Sequence, residues 1–173
     1  MRITTVVLIG LVGALPRPAN ATPSELLNKT ITVSYTVSIP ARGQDGSVVP
    51  GVRNATRTIY ISSAGRAFGR VSRQDGGRYS ETKEAAPGER GNTLRFEGEK
   101  LVGVMSFVSG AAQMAITFGQ GGQSCDASIV LGRDNGKTLK WKGVNGVTYE
   151  ATGPATVSNV RCSIRSGNTF AGE

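Results

Sequence analysis

The stretch from Leu101 to Phe118 constrains the fold more than any other part of the chain. It holds two runs with apolar residues at every second position, separated by Ser109-Gly110. With those two residues as the loop, Val108 faces Ala111, Met105 faces Met114 and Leu101 faces Phe118. One face then carries Leu101, Gly103, Met105 and Phe107 against Ala112, Met114, Ile116 and Phe118. A one-residue slip would scatter that face across both sides of the ribbon, so pattern and turn specify a hairpin with one side in a core. Burial of its six large side chains is worth on the order of 10 kcal/mol, an upper bound because unfolded chains are already partly compact.

The rest of the chain repeats the theme. Ile31, Val33, Tyr35, Val37 and Ile39 alternate with Thr30, Thr32, Ser34, Thr36 and Ser38, the signature of a strand buried on one face and wet on the other. Pro40 is expected to end it. Residues 56–62 and 66–73 predict a hairpin around Ser63-Ala64-Gly65, with Ile59 opposite Gly69, Ile61 opposite Ala67, and Tyr60 opposite Phe68 on the other side. Val144-Asn145-Gly146 sets another, with Trp141 facing Tyr149 and Lys140 facing Glu150. Residues 74–92 contain no Val, Leu, Ile or Phe and read as a mobile polar loop. Before the first strand, Pro23 and Ser24 predict a single helical turn, and no longer helix is expected. The fold class is therefore all-β: an antiparallel meander of about 8–10 strands closing as a small β-barrel, or as a two-sheet β-sandwich.

Residues 1–21 read as a cleaved signal peptide: Arg2, an apolar run from Ile3 to Leu15, and a small-residue site at Ala19-Asn20-Ala21. The run is too short to span a membrane, and Pro16 and Pro18 interrupt it. Residues 22–173 then form one domain. The reading is of a periplasmic or secreted protein. An outer-membrane barrel is excluded because the faces opposite the core carry Thr, Ser, Lys and Arg, with aromatics at 6%. Two cysteines in an exported chain predict one disulfide. Cys125 shares the phase of Ala127, Ile129 and Leu131, and Cys162 that of Val160 and Ile164, so both thiols point to the core from different strands. Their Cα atoms should then lie about 4.4–6.8 Å apart.

The chemistry available is limited. There is no histidine, which removes His-dependent triads and imidazole zinc sites, and no phosphate-binding loop motif occurs. Glu97, Glu99, Asp126 and Glu150 fall at turns and on wet strand faces. No catalytic residue, metal site or cofactor is assigned, and a non-catalytic binding protein is expected. Without Arg2 and Arg17, 18 basic and 12 acidic residues leave a net charge of +6. That balance favours an anionic polysaccharide or lipid headgroups; specific nucleic-acid binding is not expected. Six arginines lie between Arg53 and Arg78 with one acid, Asp75. The candidate binding patch is Arg66, Arg70, Tyr60 and Phe68, which share a strand face, together with Arg57 and Arg73. Arginine beside aromatic rings suits anion or sugar recognition. The alternative is a calyx for a small apolar ligand, lined by residues such as Met105, Met114, Phe118 and Trp141.

Two segments, Ser62-Ser63-Ala64-Gly65-Arg66 and Arg161-Cys162-Ser163-Ile164-Arg165-Ser166-Gly167-Asn168, resemble stretches of small exported β-rich proteins of Gram-negative bacteria. The resemblance implies export and a β-rich domain, and it brings no assigned activity, cofactor or catalytic residue. Size and meander are also similar to lipocalin-like carriers, although no lipocalin signature motif is present.

Overall fold

The computed structural model describes residues 21–75, 78–81, 85–89, 92–107, 110–134, 140–143 and 145–170, with the backbone alone at 75, 78–81, 105–107, 110–111 and 132–134. The expected signal peptide lies outside these residues except for Ala21. The fold is all-β and entirely antiparallel: a curled half-barrel sheet with a second sheet against it. Eleven strands are described: β1 (Lys29–Gly43), β2 (Val48–Ile61), β3 (Ala67–Asp75), β4 (Arg78–Glu81), β5 (Arg95–Glu97), β6 (Lys100–Phe107), β7 (Gly110–Phe118), β8 (Cys125–Asp134), β9 (Lys140–Lys142), β10 (Thr148–Ala151) and β11 (Thr156–Ser166). Among the described residues no helix is long and apolar enough to cross a membrane.

The alternating strand is the hub of the larger sheet. On one side β1 pairs with β2 over its whole length; on the other it pairs first with β11 and then with β10, which leads to β9. Pro40 does not end it, contrary to expectation, because its missing N–H falls where no acceptor is needed. The ladder with β11 stops at Ser38 and that with β10 begins at Ala41, and in the gap the Pro40 carbonyl accepts the Thr152 N–H at 2.8 Å. Across the other ladder Pro40 faces Pro50, so neither side lacks a partner there, and β2 begins at Val48 rather than near Thr56. In β11 one extra residue is accommodated opposite Tyr35, where Asn159 takes a left-handed φ of 54°. This bulge changes the phase of the strand, so Val157 on one side and Val160, Cys162 and Ile164 on the other are all partly buried against the core.

The second sheet runs β5-β6-β7-β8. Its central hairpin keeps the expected faces but not the expected register. Leu101 faces Ile116, Gly103 faces Met114, Met105 faces Ala112 and Phe107 faces Gly110, a displacement of two residues. A two-residue slip preserves the side of every residue, so hydrophobic alternation cannot detect it. Residue size decides: the observed ladder opposes a large residue with a small one at three successive pairs, where the expected one set Met against Met and Leu against Phe. The residues between Phe107 and Gly110 lie outside those described.

Residues 74–92, expected as a mobile polar loop, are described only in part. Within them Arg78–Glu81 form β4 on the edge of β3, Ala85 bridges to Gly69, and Asn92 is buried. The Asn92 amide donates to the carbonyls of Ala67 and Ala85 at 3.0 and 2.9 Å, and its Oδ1 accepts the Leu94 N–H at 3.1 Å. The described segments of this polar run are tied to the sheet by hydrogen bonds to backbone groups. Leu94 then packs where Cβ atoms on Gly69 and Gly103 would stand, 3.1 and 3.0 Å from its methyls, and links β3 to β6.

The core lies between the sheets, built from Ile31 and Val33 of β1, Ile59 and Ile61 of β2, Leu101 of β6, and Met114 and Ile116 of β7, all fully buried. The expected turn at the N-terminal side is a 3₁₀ turn, Ser24–Leu26. It sets Leu26 into the core beneath Gly122, where a Cβ would come within 2.8 Å of the leucine methyl. Cys125 and Cys162 are disulfide-bonded with Cα atoms 5.6 Å apart, joining β8 of one sheet to β11 of the other.

Candidate functional site

The register of β1, β2 and β3 sorts the six residues of the candidate patch onto two faces. Thr30, Tyr60 and Phe68 form one row across the three strands, and Thr32, Thr58 and Arg70 the next. These side chains point away from the core. Tyr60 and Phe68 lie with ring centroids 6.4 Å apart, and the Arg66 guanidinium sits 5.4 Å over the Phe68 ring. Arg70, two residues further along β3, lies 5.0 Å over a third ring, that of Phe170. Four of the six expected residues are therefore together on the outer face.

Phe170 arrives through the segment after β11. The Gly167 N–H donates to the Asn28 carbonyl at 2.7 Å, the Thr30 hydroxyl donates to the Gly167 carbonyl at 2.6 Å, and the Thr169 N–H donates back to that hydroxyl at 3.3 Å. Thr30, nominally on the wet face, is buried as a result. The Tyr60 hydroxyl donates to Asn28 Oδ1 at 3.2 Å, tying the cluster to the start of β1. Nothing in local pattern announces Phe170, because its place depends on a turn at Gly167 (φ 88°) and on the last ladder of the fold.

Arg57 and Arg73 are on the opposite, inward face. In β2, Ala55, Arg57, Ile59 and Ile61 share one phase; in β3, Ala67, Gly69, Val71 and Arg73 do the same. The phase of Ile59 and Ile61 was the signal that could have placed Arg57 inside. Arg57 is 5% exposed, and its Nε is buried without a hydrogen-bond partner. Burial lowers its pKa from the ordinary arginine value, and Tyr35 opposes that shift. Tyr35, also 5% exposed, stands on β1 opposite Ala55. Burial raises the pKa of its phenol, against the opposing charges of Arg57, Arg73 and Arg53. Arg53 continues this face, with Asp75 opposite it in register.

The residues of the expected calyx do not line one lumen. Met114 is fully buried in the packed core, and Phe118 packs on Phe96 with centroids 6.4 Å apart. Trp141 stacks on Tyr149 at 5.9 Å, at the far end of the larger sheet, and lies so close over Gly51 that a Cβ there would be 2.5 Å from the indole. The side chain of Met105 lies outside the described residues. The carboxylates serve the surface: Glu97 pairs with Arg95, and Glu150 with Lys140 at 3.1 Å, all four exposed. No known protein family, curated protein or solved structure matches the chain.

Proposed function

We propose that this is an exported, periplasmic or secreted, non-catalytic binding protein whose outer β1–β3 face engages an acidic polysaccharide. The observation that carries the reading is the pairing of two guanidiniums with aromatic rings on one outer face, Arg66 on Phe68 and Arg70 on Phe170. Flat rings offer surfaces for the apolar faces of sugar rings. The Arg66 guanidinium, stacked on Phe68, offers its planar edge and forked donors to a carboxylate or sulfate, with Arg70 over Phe170 beside it. The net positive charge strengthens encounter with such a polymer. Export is supported by the apolar N-terminal run and by the disulfide, which persists in oxidising compartments.

The test is retention on immobilised heparin as a function of salt. The mature protein should elute at distinctly higher salt than the Arg66→Glu, Arg70→Glu double variant. Equal elution of the two refutes the assignment. Sedimentation with anionic vesicles in parallel identifies lipid headgroups as the partner if vesicles, but not heparin, discriminate between them.

A further inference from the structure

A buried guanidinium is expensive unless an anion or a full set of hydrogen bonds accompanies it. Among the described residues Arg95 pairs with Glu97 and Lys140 with Glu150, and neither pair involves Arg57. Its Nε has no partner at all, whereas the other buried polar residues among those described, Thr30 and Asn92, are hydrogen-bonded. The side chain crosses the interior from β2 towards β6. Its Nη1 lies 3.9 Å from where a Cβ on Gly103 would stand, beside the Leu94 methyl that packs over that glycine. Arg73 adds positive charge along the same face, while Arg53, further along, stands opposite Asp75. Tyr35, nearby, remains a neutral phenol because burial disfavours its ionised form, so it does not repel a negative guest.

We propose that Arg57, flanked by Tyr35 and Arg73 and facing Gly103, is a buried receptor for a compact oxyanion, a single carboxylate or phosphate group. Two oxygens of such a group match the guanidinium fork and would supply both the charge and the acceptor that Arg57 lacks. The guest is compact because the interior beyond Arg57 is filled: Ile31, Ile59, Leu101, Met114 and Ile116 are all fully buried. The site is separate from the outer face and does not depend on the function proposed for it.

The experiment uses the full mature protein and two probes, sodium acetate and sodium phosphate, at constant ionic strength balanced with sodium chloride. Thermal midpoint and calorimetric titration should show a saturable response to one or both probes, and the probe that responds identifies the carboxylate or the phosphate. In Arg57→Met the affinity should fall by at least about thirtyfold, the loss expected when one partner of a buried charge pair is truncated. Its midpoint without anion should be unchanged or higher, because an unpaired buried charge has been removed. Arg66→Glu with Arg70→Glu should leave the response intact. If Arg57→Met does not fold, the Arg57 Nε–Hε resonance of the unaltered protein gives the answer: it should move saturably with the responding probe. Identical anion responses in the unaltered protein and Arg57→Met, loss of the response in the outer-face variant instead, or an Nε–Hε resonance indifferent to both probes overturns the proposal.

Discussion

Replacing Cys125 and Cys162 together by alanine removes the covalent link between the two sheets. The described ladders join β8 only to β7 and β11 only to β1, so no backbone hydrogen bonds substitute for the bridge along that seam. The cysteines are 37 residues apart, and the chain-entropy relation for a closed loop of that length gives about 4 kcal/mol at 25 °C. In a domain of this size each kilocalorie moves the thermal midpoint by a few degrees, so the double variant should melt roughly 8–15 °C below the parent. Scanning calorimetry of the parent, the parent with dithiothreitol and the double variant measures the effect, and the last two should coincide. Heparin retention of the folded double variant should be unchanged, since the bridge lies away from Tyr60, Phe68 and Phe170. A drop of less than about 3 °C would show that the seam is held without the bridge, and the reasoning from loop closure would fail.

Two further outcomes follow from single positions. Because burial raises the Tyr35 phenol above its ordinary 10.0, the unfolded chain ionises first as pH rises; the unfolded state then binds fewer protons, and stability falls above that pH. Tyr35→Phe should lose this part of the fall, seen as a shallower decline of urea midpoints between about pH 9 and about pH 11, and equal slopes would contradict the burial argument. Gly51→Ala would place a methyl 2.5 Å from the indole of Trp141, the protein's single tryptophan. The ring should be displaced, with a red shift of its emission and a destabilisation of about 1–3 kcal/mol; an unchanged spectrum would mean that the indole is not seated on Gly51.

What could be read from the residues was whatever a strict period or a rigid turn imposes. Gly65, at φ 75°, anchors a loop that fixes the β2–β3 register, and the pairs Ile59–Gly69, Tyr60–Phe68 and Ile61–Ala67 occur as expected. The Trp141–Tyr149 and Lys140–Glu150 pairs follow from the loop at Gly146 in the same way. The disulfide follows because two cysteines in core phase have no other partner. Features that depend on long-range complementarity were not legible. The two-residue displacement in the central hairpin depends on matching large to small residues across a ladder. The passage of β1 through Pro40 depends on where two other strands meet it. Asn92 was hidden because its three bonds are to backbone groups whose positions the sequence does not declare. The candidate patch was legible only in part: Tyr60, Arg66, Phe68 and Arg70 share a face, whereas Arg57 and Arg73 follow the inward phase of their neighbours.

The place of β1 between β2 and β11 has a consequence for how the chain is assembled. As residues emerge in order, β2 reaches β1 after a short turn, but β11 follows all the other described strands. From Lys29 to Ser38 one edge of the first described strand therefore waits, with its donors and acceptors open, until the distant stretch from Thr156 to Ser166 has been made. An open strand edge is an adhesive surface, and a contact this distant in sequence forms slowly. The segment that ends this exposure also carries Gly167 to Phe170 over Asn28, Thr30 and Arg70. A chain truncated before Thr156 would lack both the strand and this clasp. It should accumulate as edge-paired aggregates rather than as a smaller folded domain.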